Sequence, residues 1–113
     1  MEKVINIGGK EVKMKSTASI LALYRNNFNR DFMSDIIKMQ GSLNGVEKGK
    51  ELEALDLDFF EKVSWCMAKA GDESVPEFEK WLDEFELFDL IQALPEIMTL
   101  ITANMSQIED KKK

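Results

Sequence analysis

Apolar and polar side chains alternate at the start of the chain, on both sides of a glycine pair. The segment KVINIGGKEVKMK covers residues 3–15, with Gly8 and Gly9 at its centre. A period of two is typical of a strand that buries one face, and paired glycines readily adopt the positive φ angles of a tight turn. The pattern therefore predicts a β-hairpin. Because an isolated hairpin is marginal in water, its apolar face should lie on the helices that follow. That face comprises Ile5, Ile7, Val12 and Met14.

From residue 17 the apolar side chains recur every three or four positions, which is the period of a helix. The spacing predicts a first helix over residues 18–27. Asn29 stands where helices often close in the left-handed conformation, which asparagine tolerates better than most residues with a side chain. Asp31 follows and is placed to cap a second helix. The segment ALYRNNFNRDF, residues 22–32, therefore predicts a chain reversal between two helices.

A loop and a third helix follow the reversal. The segment QGSLNGVEKGKE, residues 40–51, contains three glycines and little periodicity, which predicts a loop. The apolar face returns over residues 56–70 and predicts a helix. Asp56 or Asp58 is its expected N-terminal cap, and Gly71 its expected terminator.

Two more helical segments complete the chain. ESVPEFEKWLDEF, residues 73–85, predicts a short helix, with Pro76 at the first helical position. Residues 87–108 carry apolar side chains at steps of three and four throughout and predict a strongly amphipathic helix. Pro95 lacks the amide that a helix interior needs, so it should kink this helix or divide it in two.

These elements together predict an α+β fold that is mainly α. The N-terminal hairpin, residues 3–15, is expected to pack on a compact bundle of about four to five helices over residues 17–108. A chain of 113 residues buries about two thirds of its unfolded surface in a single core, so residues 1–113 should form one domain. The charged tail, residues 109–113, is expected to fray.

Composition narrows the classes of partner. The chain is 44% hydrophobic and 32% charged, with a net charge of -6, and an acidic surface repels phosphate backbones. Protein partners are therefore favoured over nucleic acid. No apolar run approaches the ~20 residues that span a bilayer, so no membrane segment is expected. A single cysteine and the lack of a basic and apolar leader predict a cytosolic location.

The sequence offers little catalytic chemistry. It contains no histidine, the commonest general base and metal ligand at neutral pH. Cys66 lies on an apolar helix face and is interpreted as a buried, inert thiol. The carboxylates between residues 83 and 89 lack the pattern of a calcium loop and are interpreted as a solvated face. No catalytic, metal or cofactor site is predicted. A small enzyme that uses carboxylates alone is the least favoured alternative.

Arg25 and Arg30 flank the predicted reversal and leave two interpretations open. They could clamp a phosphate or carboxylate ligand, or they could be solvated or paired with nearby Asp31 and Asp35. Ion pairing or solvation is favoured, because both carboxylates lie close in sequence.

Residues 13–36, KMKSTASILALYRNNFNRDFMSDI, resemble the tail assembly chaperones of long-tailed phages and prophages of Gram-positive bacteria. That family has a short strand pair, a K-x-K-x-T-A segment, a helix carrying Y-R-x-x-F-G-R-D, and an acidic helical remainder. Asn29 stands where the family commonly has glycine. The closing segment WLDEFELFDLIQALPEIMTLITANM, residues 81–105, is also similar to the family's last region. The matching residues are Lys13, Lys15, Thr17, Ala18, Tyr24, Arg25, Phe28, Arg30 and Asp31.

The resemblance implies a non-enzymatic chaperone that escorts the tape-measure protein and promotes assembly of the tail tube. Its partners would be the tape-measure protein, possible further copies of itself and the tail-tube protein. It would act in the bacterial host cytoplasm and be absent from the mature virion. The family often has a longer form made by ribosomal slippage, and the lysine codons of residues 111–113 suit a slippery run. A structural tail or neck component that stays in the virion is the alternative.

The amphipathic terminal helix is the partner surface that this function would use, by docking in a groove or by self-association. Core packing is the alternative for the same apolar stripe, and methionines suit either role. The candidate partner-binding residues are Leu94, Met98, Ile101, Met105 and Ile108.

Overall fold

A computed structural model describes residues 1–43 and 56–111, with side chains over residues 1–39 and 56–101. Over these ranges the chain forms a two-stranded antiparallel sheet and five helices, which confirms the predicted α+β, mainly α fold. The elements are β1 (Glu2–Ile7), β2 (Lys10–Lys15), α1 (Ser19–Phe28), α2 (Phe32–Leu43), α3 (Leu57–Gly71), α4 (Phe78–Leu82) and α5 (Leu87–Lys111).

The predicted hairpin is present, and its turn is the glycine pair. Gly8 and Gly9 have φ angles of 63° and 89°, which glycine adopts at little cost. The Gly9 amide donates to Oδ1 of Asn6 at 2.7 Å, so a side chain also braces the turn. The register pairs Ile5 with Val12. The centre of one hairpin face is therefore apolar, and Lys3 and Lys10 lie at its ends, paired with Met14 and Ile7.

That apolar face is buried against helices, as the sequence predicts. Helix α3 packs on β2, α5 packs on β1, and α1 packs on α3. Ile5 and Met14 are fully buried, and every described strand and helix contributes side chains to the same hydrophobic core. Burying one such side chain stabilises the fold by about 1.5–3 kcal/mol, so the helices provide what an isolated hairpin lacks.

Helix α3 begins as predicted but ends differently. Oδ1 of Asp56 accepts the Phe59 amide at 3.1 Å, which selects Asp56 over Asp58 as the cap. Gly71 is the last helical residue and does not have a positive φ, and the capping residue is Asp72 in an extended conformation. A Cβ at Gly71 would lie 2.2 Å from the Lys13 carbonyl oxygen. Gly71 is therefore required for close approach of α3 to β2, rather than for a left-handed helix end.

Two other boundaries differ from the sequence predictions, and of the two alternatives predicted for Pro95 the division of the helix is excluded. Helix α4 starts at Phe78, so Pro76 precedes the helix, and its carbonyl accepts the indole N–H of Trp65 at 2.8 Å. Helix α5 continues through Pro95 without division, because buried side chains on both sides of the proline share one core. Helix α2 extends to Leu43, so residues 40–43 of the predicted loop are helical, and residues 44–51 lie outside the described chain.

The substitution Gly71→Ala tests the contact between α3 and β2. Alanine normally stabilises a helix relative to glycine by up to about 1 kcal/mol. Here the added methyl group meets the backbone of Lys13, so we expect a loss of about 1–3 kcal/mol in the free energy of unfolding. Urea unfolding measures the change. Equal or higher stability in the variant would contradict the close approach.

Candidate functional site

The reversal between α1 and α2 has the geometry that Asn29 predicts. Asn29 adopts φ 55° and ψ 41°, the left-handed conformation, and its amide donates to the Arg25 carbonyl at 2.9 Å. Oδ2 of Asp31 accepts the Ser34 amide at 3.3 Å, which caps the start of α2. Helix α1 thus ends at left-handed Asn29, and the cap of α2 follows two residues later, at Asp31.

A buried carboxylate ties the two helices together across this reversal. The hydroxyl of Tyr24, which is fully buried, donates to Oδ2 of Asp35 at 2.6 Å. Arg30 donates through Nε to Oδ2 of Asp35 at 2.7 Å and through Nη2 to Oδ1 at 3.1 Å. Both carboxylate oxygens are therefore used, and Arg30 makes the ion pair that the sequence favours over a ligand site.

The charges of this cluster stabilise one protonation state. The hydrogen bonds from Arg30 hold the pKa of Asp35 below its ordinary value, and the Tyr24 hydroxyl acts in the same direction. Burial raises the pKa of Tyr24, and the Asp35 carboxylate raises it further. At neutral pH a neutral phenol therefore donates to a charged carboxylate, and the cluster acts as a structural tie between α1 and α2.

The aromatic residues of the same segment belong to the core. The Tyr24 ring contacts the rings of Phe28, Phe32 and Phe59 at centroid distances of 5.6, 5.8 and 5.9 Å. Phe28 also meets Trp65 edge to face at 5.6 Å. Such pairs add about 0.5–1.5 kcal/mol each beyond area burial. Tyr24, Phe28, Asn29, Arg30 and Asp31 thus all serve the turn or the core.

The prediction of partner-binding residues on helix α5 needs correction. Leu94 and Ile101 are 5% and 3% exposed, because the apolar face of α5 packs on β1 and the core, so neither presents a surface to a partner. Met98 is partly buried and packs against the core. Met105 and Ile108 lie in α5 but outside the described side chains. The core-packing alternative therefore holds for the first half of this stripe.

Arg25, in the segment 22–32, has an exposed side chain without an ion pair among the described residues, as does Asp31. It lines a groove between α1 and α2 that encloses about 430 Å³, and we call this the α1–α2 groove. Sequence reasoning missed the groove because Leu21 and Met33 fit the helical period of the apolar residues, and periodicity does not separate a groove from the core. A spacing of four between Leu21 and Arg25 was the available signal. The groove is lined by Leu21, Arg25, Asn29, Arg30, Asp31 and Met33.

Other candidate chemistry is used structurally in the described ranges. No group of three or more histidine, cysteine or carboxylate residues there is placed to hold a metal ion. Glu84 of the predicted carboxylate face pairs with Nζ of Lys10. Cys66 is fully buried, and burial raises the pKa of its thiol to about 12. In the same ranges no helix combines the length and apolarity needed to cross a membrane.

Comparison with known proteins adds no relative. No protein-family model, no curated protein and no solved structure matches this chain.

The Asp35 tie predicts a specific pH dependence. Because the folded pKa of Asp35 lies below the unfolded value of about 3.9, its contribution is complete above pH ~4 and is lost as the pH falls further. We expect Asp35→Asn to cost about 1–2 kcal/mol at pH 7, with the difference from wild type shrinking between about pH 4 and 2. Half of Arg30 is solvated, which limits the magnitude.

Urea unfolding at a series of pH values measures this difference. Asp83→Asn is the matched control, since Asp83 is exposed, and it should change stability by less than about 0.5 kcal/mol. Parallel stability curves for wild type and Asp35→Asn across the acidic range would contradict the tie.

The thiol of Cys66 should resist alkylation in the folded protein. A fully buried thiol with a pKa of about 12 presents almost no thiolate at pH 8. We expect iodoacetamide to leave the native protein unmodified and to alkylate it in urea, with intact mass as the measurement. Alkylation of the native chain at the rate seen in urea would show that the thiol is accessible.

Proposed function

We propose that this protein is a phage tail assembly chaperone, a non-enzymatic protein that binds the tape-measure protein and promotes assembly of the tail tube. It acts in the cytoplasm of the bacterial host and leaves before the virion is complete. The resemblance of residues 13–36 and 81–105 to that family carries the proposal.

The geometry of the turn supports the proposal at the position where the sequence departs from the family. Glycine is common there because the backbone needs a positive φ, and Asn29 adopts φ 55°. The neighbouring Arg30 and Asp31 are each engaged in the turn, as members of a shared structural motif should be. The substitution of asparagine for glycine is therefore compatible with the family's turn.

A binding role also agrees with the chemistry of the chain. The absence of histidine from the sequence removes the residue most often used in acid–base catalysis. Cys66, the single cysteine, is inside the core. The net charge of -6 favours protein partners and opposes nucleic-acid binding.

Co-expression with the tape-measure protein from the same phage or prophage tests the function. We expect the two proteins to co-purify and to elute together in size-exclusion chromatography, and the tape-measure protein to be soluble only in the pair. An unrelated helical protein of similar length serves as the control client. A tape-measure protein that stays unbound and insoluble with the chaperone present would contradict the proposal.

Mass spectrometry of purified virions separates a chaperone from the alternative, a tail or neck component. A chaperone is present in the infected cell and absent from virions. Detection in virions at a fixed ratio to the tail-tube protein would favour the structural component.

A further inference from the structure

Two grooves in the described chain carry charges of both signs. The α1–α2 groove places Arg25 beside Asp31, and both side chains are exposed without an ion pair among the described residues. The groove beside Trp65 contains Lys69 together with two glutamates. Because each groove offers both charges, neither selects a partner by its charge.

The outward side of helix α5 is apolar over its first two turns. Leu87 and Phe88 are 67% and 76% exposed. Ile91, one turn farther along, is partly buried, and Pro95, another turn on, is exposed. Steps of three and four place these four side chains on one side of the helix, opposite to buried Ala93. We call them the α5 outer face, and they span about 12 Å along the helix.

This face distinguishes α5 from an ordinary surface helix. The inward side of α5 packs on β1 and the core, so a surface helix would carry polar and charged residues on the outward side. In a chain that is 32% charged, none of the four residues of the α5 outer face is charged or polar. A contiguous exposed apolar patch of this kind is typical of a surface that binds another protein.

The border of the α5 outer face contains several carboxylates. Glu86 directly precedes Leu87, and Asp89 and Glu96 are seven positions apart and therefore lie along one flank of the helix. Glu96 pairs with Lys3 at 3.6 Å. Glu86 and Asp89 form no ion pair among the described residues, so their charges are available to a partner.

The cations nearby do not cancel this negative charge. Nζ of Lys10 pairs with Glu84 and lies 5.4 Å from the centroid of the Phe85 ring. Lys80 and Asp83, at the end of α4, have opposite charges and leave the balance unchanged. The border has a net charge of -2 and comprises Glu84, Glu86, Asp89, Glu96, Lys3 and Lys10.

Pro95 adds a hydrogen-bond acceptor to the same face. A proline has no N–H, so the carbonyl of Ile91, four residues earlier, lacks its helical hydrogen bond. Because Pro95 is exposed, this carbonyl lies on the outward side of α5. A lysine or arginine of a partner can donate to the carbonyl and also carries the charge that the border attracts. A carboxylate can do neither.

We propose that the α5 outer face binds an amphipathic helix of a partner protein, whose apolar stripe packs on Leu87 and Phe88 and whose lysine or arginine side chains meet the acidic border. A second copy of this chain is disfavoured, because it would bring another net charge of -2 to the interface. That the partner is the tape-measure protein rests on the function proposed above. The client site is then on the side of α5 opposite to the buried stripe.

The first experiment uses a synthetic helical peptide of about 18 residues, with leucines spaced as a helical stripe and lysines beside them. The peptide carries a fluorescent label, and its anisotropy is followed as the full chain is added. We expect binding that weakens as salt is raised. A peptide with glutamate in place of each lysine should bind at least about tenfold more weakly.

The second experiment tests the apolar part of the face. Phe88→Ser should weaken binding of the lysine peptide by at least about tenfold, because the partner stripe loses its largest contact. Ile37→Ser is the matched control, since Ile37 is 58% exposed but lies on α2, and it should change binding by less than about twofold. Thermal unfolding of each variant verifies that the fold is intact.

The third experiment tests the acidic border with two double variants that remove the same charge. Glu86→Gln with Asp89→Asn should weaken binding of the lysine peptide by at least about threefold and reduce its salt dependence. Glu77→Gln with Glu79→Gln changes two exposed carboxylates in the groove beside Trp65 and should have less than about a twofold effect. Equal losses would show that binding follows net charge alone and would overturn the proposal.

A dye on the face itself locates the peptide. Cys66 is buried, so the thiol introduced by Gln92→Cys is the accessible one for an environment-sensitive dye. Gln92 is exposed and one turn from Phe88, and we expect the dye emission to shift when the lysine peptide binds. The same dye at Lys38→Cys, an exposed site on α2, should not respond. A response at Lys38 without one at Gln92 would place the peptide elsewhere and overturn the proposal.

The outcomes separate this inference from the proposed function, because the peptide experiments use no tape-measure protein. If the lysine peptide binds through Phe88 but the tape-measure protein does not bind, the assignment of the face stands and the chaperone function fails. If the tape-measure protein co-purifies equally with wild type and Phe88→Ser, this inference is overturned and the function stands. Equal binding of both peptides would also overturn it. So would a dimer, seen by analytical ultracentrifugation, that Phe88→Ser dissociates.

Discussion

The two-stranded sheet cannot be stable without the helices that cover its apolar face, and much of the architecture follows from this constraint. One edge of that face is covered by α3 and the other by α5. The contact with α3 is so close that the helix must end in a residue without a side chain, Gly71. The contact with α5 draws the amphipathic face of the terminal helix inward. Covering the hairpin therefore buries Leu94 and Ile101, two of the residues that the sequence offers as a partner surface.

This explains why the fold was more predictable than the site. Period two around Gly8, the left-handed Asn29 and the Asp56 cap are local signals that the structure confirms, whereas the local signal of Pro76 did not mark a helix start. The role of Gly71 depends on Lys13, which is 58 positions away in the sequence and leaves no local trace. The continuity of α5 through Pro95 likewise depends on packing against distant elements. Periodicity identifies an apolar stripe, but it does not distinguish a stripe that faces the core from one that faces a partner.

Residues 22–35, around the reversal between α1 and α2, include side chains that stabilise the fold and side chains that lie on the surface. Tyr24 and Asp35 face inward and hold two helices at one buried carboxylate. Arg25 lies one residue after Tyr24 on α1, yet its side chain is on the surface. A substitution on the inner side changes stability first, whereas one on the outer side leaves the core contacts unchanged. Neighbouring residues of one short motif can therefore serve stability or surface contacts, and separate experiments distinguish the two roles.

The contact between β1 and α5 forms late during synthesis, because β1 is made long before α5. The hairpin is synthesised first, and the helix that covers β1 begins at Leu87, about 80 residues later. At about 5–20 residues per second, synthesis of that interval takes roughly 4–16 s. For that time Ile5 and Ile7 lack helix α5, so the apolar face of the hairpin is fully covered only after α5 has been made. A truncated chain that stops before α5 would expose this strand face and be prone to aggregate.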